Sequence, residues 1–438
     1  MQQGGVRAVA APNGLWRAWR CFAARWASGG SPGQHQTPIV EALWKMRGGA
    51  DGKASSNYPE GAPVQSAVSP KAPSESRTKI TYGFASDEAL REGYRNPWGA
   101  VRIGRLLEDL DALAGNVAYA HASDGDPKTR PLVLVTASVD RIRLTRPLAL
   151  DRDLTLSGEV VYVGSSSMEI RMKVHQNSGA QESSGPSLQA DFAFVARDPV
   201  TQRAARVNPL ACETEDEKAT ATEVGERVGR EKAQRKALQL DPGERVARRE
   251  RVKRWAAPLV DRAQAVACGM PLARHGTAGD RPVVLLGETQ TTNSFLCQSQ
   301  QRNLGGRVFG GFIMRRGFEL GFANCYAVCG ARPRFVEVDQ VDFHRPVDVG
   351  SLVRFSSRVL HVSSMNDGDG VARAVVEVVA SVLKPEERTL LETNTLRLVF
   401  AFDSGETGLV LPEILPSNFE EAERIVNAVP HLLPSSES

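Results

Sequence analysis

Apolar side chains recur along this chain with two periods, and the periods follow one another in a fixed order. Leu106, Leu107, Leu110, Leu113 and Ala114 keep helical spacing, which predicts an amphipathic helix over 105–115. A short extended run at 80–84 precedes it. Four segments of strand character follow it, at 132–142, 154–163, 168–176 and 188–196, with polar loops between them. The same order returns downstream. Short extended pieces at 283–286 and 294–298 lead into an apolar helical run that opens at Gly310-Gly311 and continues to 329 through Phe312, Ile313, Met314, Phe318, Leu320 and Phe322. Strand candidates at 335–343, 352–362, 371–384 and 389–402 come next, then a short helix over 419–427. One helix followed by several antiparallel strands, written twice, is an α+β order.

The remaining segments lack these periods. Residues 1–30 carry Arg7, Arg17, Arg20 and Arg25, and no acid occurs before Glu41. Trp16, Trp19, Ala23 and Trp26 recur at helical spacing among these arginines. That is the pattern of an organelle transit peptide, mitochondrial by preference and plastid as the alternative. The Pro/Ser/Gly-rich stretch 31–76 has few aliphatics and reads as a disordered linker. At the end of the leader, Gly29-Gly-Ser31-Pro-Gly33 matches the serine-hydrolase G-x-S-x-G only by letter, because the strand–turn–helix context is missing. The first folded domain is expected over 77–205 and the second over 281–403. Between them 206–280 alternates acids and bases and reads as a charged, partly helical connector with a solvated face. Residues 404–438 form the C-terminal tail.

Composition narrows the function classes. The chain has 438 residues, enough for two cores. A net charge of +3 with no basic stripe interleaved with aromatics argues against nucleic acid. No apolar run is long enough to span a membrane. Six cysteines without a C-x-x-C pair, and no histidine pair at zinc spacing, read as reduced thiols, with neither disulfides nor a metal site.

The two halves superpose by number. A shift of 207 residues lays Asn303 on Asn96, Gly306 on Gly99, Val308 on Val101, Gly311 on Gly104 and Leu320 on Leu113. A shift of 199 lays Val338-Asp339 on Val139-Asp140 and Arg345-Pro346 on Arg146-Pro147, so an insertion falls in the loop at 123–130. Two long copies of one loop–helix–sheet unit imply a pseudo-two-fold pair.

The motif Asn303-Leu-Gly-Gly-Arg-Val-Phe-Gly-Gly311 resembles the loop-to-helix signature of hot-dog acyl-CoA thioesterases. Gly104-Arg-Leu-Leu-Glu-Asp-Leu-Asp-Ala-Leu-Ala114, Phe194-Val-Ala-Arg-Asp198, Gln301-Arg-Asn303 and Arg345-Pro-Val-Asp-Val-Gly-Ser351 are similar to segments of the mitochondrial acyl-CoA thioesterase 9 group. The resemblance covers about residues 80–402 and implies two hot-dog domains in tandem. Each would be an antiparallel sheet wrapped round a long helix, the two forming a pseudo-dimer with a continuous sheet. It also implies an acyl-CoA substrate, no cofactor beyond the substrate's own coenzyme A, and a homo-oligomer of tandem chains.

Thioester hydrolysis needs a polarised carbonyl, an aimed and activated water, and an apolar slot for the acyl chain. Amides at a helix start suit the first task, here Gly310 and Gly311. The resemblance pairs the loop Asn303 of one repeat with a helix Asp of the other, and the matching position is Asp111. In the mirror arrangement Asn96 and Gly104 meet Phe318, with Ile103 in place of one glycine, and Glu319 is the one acid nearby. That second site is expected to be degenerate. Each residue also has a plainer reading. Asn303 can be a turn residue, Glu319 can pair with Arg315, the two glycines can serve packing alone, and Glu108 and Asp109 can be surface acids. Two other functions compete: an enoyl-thioester hydratase, whose signature Asn208-Pro-Leu-Ala211 misses by an alanine in the histidine position, and a non-catalytic acyl-CoA-binding protein.

Overall fold

The computed structural model describes residues 7–8, 63–65, 68–126, 128–176, 185–240, 242–268, 281–303, 306–364, 370–403 and 409–433, the side chains of 7–8, 234–240 and 242 apart. Apart from Arg7 and Ala8, the expected leader lies outside these residues. They fall into two compact units. The first takes residues 1–226, 296–315 and 342–351, and the second takes 227–295, 316–341 and 352–438.

In the first unit five strands form an antiparallel sheet: β1 (Thr78–Tyr82), β2 (Val133–Leu144), β3 (Leu154–Val163), β4 (Ser167–Gln176) and β5 (Leu188–Arg197). Their order is β1-β3-β4-β5-β2. A short helix α1 (Glu88–Gly93) leads to the long α2 (Ile103–Ala122), against which all five strands pack. The apolar stripe expected over 105–115 runs on through Val117 and Ala118, all buried, so the helix is longer at both ends than its periodicity suggested. It is also covered on more than one side. Glu108 and Asp109, read from sequence as surface acids, are 2% and 0% exposed. Asp109 takes hydrogen bonds from the Tyr82 hydroxyl at 2.8 Å and from the Tyr94 hydroxyl, inside a cluster in which Tyr82, Phe84 and Tyr94 lie 5.2–5.6 Å apart.

The expected boundary at residue 77 also moves. Residues 63–65 and 68–76 pack on the first unit, with Val64 bridging to Arg130 and Lys71 to Leu210. Lys71 Nζ donates to the carbonyls of Ala120 and Ser123 at 2.9 and 2.7 Å, closing the C-terminal end of α2. Asn208 donates to the carbonyls of His121 and Ser123 at the same end. The first residue of the near-miss hydratase motif is therefore a buried helix cap.

The second unit repeats the design. Strands β7 (Thr291–Leu296), β8 (Arg334–Phe343), β9 (Leu352–Val362), β10 (Val371–Lys384) and β11 (Thr389–Asp403) follow the order β8-β11-β10-β9-β7. The helix α5 (Gly310–Cys329) packs here through Gly317 and Gly321, where an added Cβ would meet Leu396 at 2.8 Å and crowd Leu398. The connector is two helices, α3 (Glu215–Leu240) and α4 (Pro242–Ala267). One face of α4 is not solvated as expected. Ala263 and Val266 pack with Val283 and Leu415, since β6 (Val283–Leu285) pairs in parallel with β12 (Glu413–Leu415). The tail region then adds α6 (Phe419–Ala428), capped by Asn418 and buried through Ala422, Ile425 and Val426.

Candidate active site

The repeat is visible as a repeated hydrogen-bond pattern. Asn96 N–H donates to the Ala100 carbonyl, Gly99 N–H donates back to Asn96 O at 3.0 Å, and Ala100 N–H donates to Asn96 Oδ1 at 2.9 Å. Two hundred and seven residues on, Asn303 N–H donates to the Arg307 carbonyl, Gly306 N–H to Asn303 O at 3.0 Å, and Arg307 N–H to Asn303 Oδ1 at 3.1 Å. Gly99 and Gly306 both have φ +79°, a conformation that excludes most side chains. Both asparagines therefore shape the turn before a helix, an Asx geometry in which the side-chain oxygen replaces a backbone acceptor. The turn reading of Asn303 holds in the structure, and its Oδ1 is committed locally.

After the second turn the chain enters α5 at Gly310. The first four amides of a helix have no partner within it. The Gly311 N–H is one of these, and it donates to Asp111 Oδ2 at 2.6 Å. The other carboxylate oxygen accepts from Thr136 Oγ1 of β2 at 3.1 Å. The structure thus brings Asp111, Gly310 and Gly311 together, residues two hundred apart in sequence, and it adds Thr136, for which the sequence carried no signal. The Gly311 amide is held by the carboxylate and does not point into open space.

Both glycines are required by contact. A Cβ on Gly311 would lie 2.9 Å from Glu108 O and 3.0 Å from Glu108 Cα, which are backbone atoms that cannot rotate away. A Cβ on Gly310 would lie 2.9 Å from the Phe343 ring and 3.2 Å from Asp111 Oδ2. Both glycines therefore have a packing role, and it operates beside the Asp111 carboxylate.

Asp111 is 2% exposed. Burial pushes its carboxyl up from 3.8 to about 7, against the hydrogen bonds from Thr136 and Gly311, which favour the ionised form, and with the help of the Glu108 charge. Glu108, one turn earlier on α2, is paired with Arg315, Nη1 to Oε2 at 3.0 Å, with side-chain exposures of 3% and 16%. Arg316 pairs with Glu319 at 3.7 Å.

The other half of the expected mirror arrangement has a different character. Phe318 is buried among Phe322, Phe335 and Phe400, with its ring 5.3 Å from that of Phe335. Glu319 is partly exposed and engaged with Arg316. Gly104 is buried near the start of α2. Among the described residues no three His, Cys, Asp or Glu side chains gather as metal ligands.

An acid of raised proton affinity, held by a helix-start amide and a threonine hydroxyl in a buried site, is suited to taking a proton from water and returning it. Residues 103–183 match the profile of the Thioesterase superfamily. Acyl-coenzyme A thioesterase 2, chloroplastic, of Humulus lupulus is 42% identical over 90% of this chain and 89% of its own length. Acyl-coenzyme A thioesterase 4, mitochondrial, of the same plant is 42% identical over 90% of this chain and 73% of its own. Acyl-coenzyme A thioesterase 9, mitochondrial, of Bos taurus is 32% identical over 80% of this chain and 77% of its own. With identity of this order over most of both lengths, the chain belongs to the acyl-coenzyme A thioesterase family.

Proposed function

We propose that the chain hydrolyses acyl-CoA to a free carboxylic acid and coenzyme A with Asp111 as the general base. The observation that carries the residue assignment is the buried carboxylate of Asp111, bonded to the first turn of α5 at 2.6 Å and with a pKa raised to about 7. In the ionised form Asp111 takes a proton from water, and the resulting hydroxide adds to the thioester carbonyl carbon. The Gly310 amide stabilises the oxyanion, aided by the positive end of the helix dipole, while the Gly311 amide holds Asp111 in place. The tetrahedral intermediate then collapses, the C–S bond breaks, and the proton held on Asp111 goes to the departing thiolate. A pKa near neutrality suits both halves of this cycle, since the same group must accept and then donate. Asn303 keeps the turn that leads into α5, through its backbone and its Oδ1. The framework is the tandem hot-dog pair, and the repeated turn at 96–100 and 303–307 supports it.

The mirror arrangement of Asn96, Gly104 and Glu319 is proposed to be weak or inactive. Asp111 has no acid in the equivalent position of the second copy, where Phe318 stands.

The test is release of free thiol from a series of acyl-CoA esters, acetyl to palmitoyl, by the full chain. Asp111→Asn is expected to lose at least about 10²-fold in kcat, the usual scale for removing a general base. Full turnover in Asp111→Asn would refute the assignment, and no turnover of any ester by the wild-type chain would favour a non-catalytic acyl-CoA-binding role. For location, we propose mitochondria, with a plastid as the alternative, from the acid-free, arginine-bearing residues 1–30. A fusion of these residues to a fluorescent reporter should enter an organelle, and a cytosolic signal would reject the proposal.

A further inference from the structure

We infer that the buried Glu108–Arg315 ion pair is a positioning couple for this reaction, holding the first turn of α5 on the middle of α2 so that the Gly311 N–H stays on Asp111. The inference rests on the reading of Asp111 as the base.

Three observations carry it. The first is spacing. Glu108 lies three residues before Asp111 on α2, and Arg315 lies four residues after Gly311 on α5. Each separation is about one helical turn. The Asp111–Gly311 bond at 2.6 Å and the Glu108–Arg315 pair at 3.0 Å are therefore successive contacts, one turn apart, between two segments running in opposite directions. A single contact leaves the α5 start free to pivot about it, and a second contact one turn away removes that freedom.

The second is Glu108 itself. Its backbone lies where a Cβ on Gly311 would lie 2.9 Å from its carbonyl oxygen, while its side chain bonds Arg315. One residue thus touches α5 at both ends of the same turn. Any displacement of the α5 start relative to Glu108 moves the Gly311 amide relative to Asp111. The pair is buried, with side-chain exposures of 3% and 16%, so water screens it little, and neither charge can be stranded without strong penalty. An exposed pair of the same geometry would be worth too little to fix anything.

The third is the repeat. The shift of 207 residues that aligns the two turns lays Arg315 on Glu108. One position of the repeated helix thus carries opposite charges in the two copies. The same shift lays Gly311 on Gly104 and Phe318 on Asp111. A pairing of either copy with its own kind would set like charges together at this position. Only the unlike pairing neutralises both, and it is the unlike pairing that delivers the double-glycine helix start to the one acid.

The experiment compares Glu108→Gln, Arg315→Gln, Arg315→Lys, the charge-exchanged double variant E108R/R315E, and Asp111→Asn. Each is measured for kcat and KM on the acyl-CoA ester that the wild-type chain turns over fastest, with a thermal melt on each preparation. The two glutamine variants are expected to lose at least about tenfold in kcat, the scale set by small misplacements of catalytic groups, with KM changed by less than about threefold. Arg315→Lys should recover part of the loss, and the exchanged variant should return to within about threefold of wild type. A merely stabilising pair would lower the melting temperature and leave kcat of the folded enzyme unchanged. If Asp111→Asn is inactive while the folded glutamine variants keep wild-type kcat, the positioning role is overturned and the base assignment survives. If Asp111→Asn is active, the base assignment falls and the positioning role with it. Should the glutamine variants fail to fold, the exchanged variant decides: folded and active supports the couple, folded and inactive overturns it.

Discussion

Asp111→Asn makes a demand on stability as well as on rate, and the two should move in opposite directions. The carboxyl of Asp111 titrates near 7 in the folded chain against 3.8 as the reference value for the unfolded one. Between those values the folded state binds a proton that the unfolded state does not, so stability falls as pH rises through this window. The protonated form's contribution is fully present below about pH 4, declines up to about pH 7, and is absent above. The difference of about three pKa units is worth roughly 4 kcal/mol at 1.36 kcal/mol per unit, an upper scale for one buried group. Asparagine has the same shape and stays neutral. Its Oδ1 can accept the Gly311 N–H, and its Nδ2 can donate to Thr136 Oγ1, whose hydroxyl then turns outward. The variant should match wild type in urea unfolding near pH 4 and exceed it by a few kcal/mol at pH 8, while turnover collapses. Wild-type kcat should show an acid limb with a midpoint near 7. Thr136→Val removes a hydrogen bond that favours the ionised form, so it should move that midpoint upward. An Asn variant destabilised equally at pH 5 and pH 8, or an acid limb below pH 5, would mean that Asp111 is a structural acceptor and not the base.

The two glycines should separate by the kind of atom each would strike. Gly311→Ala meets the Glu108 backbone and should cost about 1–3 kcal/mol of stability together with most of the activity, whereas Gly310→Ala meets the rotatable Phe343 ring and should melt closer to wild type while still disturbing Asp111. Thermal melts paired with thiol-release assays check the order, and a Gly311→Ala chain with normal melting and normal rate would refute the contact. Asn303→Ala should reduce kcat far more than Asn96→Ala, since both hold the same turn but only the turn at Asn303 leads into the glycines beside Asp111. Equal losses measured on the same ester would point to two working sites.

What the sequence disclosed and what it hid follow from how far each signal reaches. Strands at 154–163, 352–362 and 371–384 begin and end where their apolar pattern does, because alternation on a sheet that packs on a helix is a local property. Asp111 could be singled out because an acid beside an apolar stripe is anomalous within one helical turn. Glu108 and Asp109 could not, because their burial depends on segments elsewhere in the chain: Arg315 in one case, Tyr82 and Tyr94 in the other. Thr136 is one of several polar residues on a strand, and nothing local distinguishes it. Residues 63–65 and 68–76 lie in a stretch poor in large aliphatics, which predicts disorder. They are held by backbone bridges and by Lys71, interactions that composition does not report.

The departures of one copy from the other follow a single logic. Both copies keep the turn, down to the positive φ of its glycine, because the turn sets the direction in which the helix leaves. They diverge at two positions where the helix meets its surroundings. At the helix start Ile103 stands opposite Gly310 in the alignment, and at the acid's position Phe318 stands opposite Asp111. Phe318 is not a neutral replacement. It fills an aromatic cluster with Phe335 and Phe400 that a carboxylate could occupy only by burying a charge among rings. In the second copy the acid's position serves packing, and burying Phe318 there supplies hydrophobic stabilisation of the scale of a full aromatic side chain, about 1.5–3 kcal/mol. The first copy has kept a buried acid at a cost of comparable size. A chain with two such acids would carry that cost twice. Dividing the roles leaves one copy to bear the buried carboxylate and the other to supply the glycines that reach it, and the opposite charges at 108 and 315 make that division the arrangement in which both charges are satisfied.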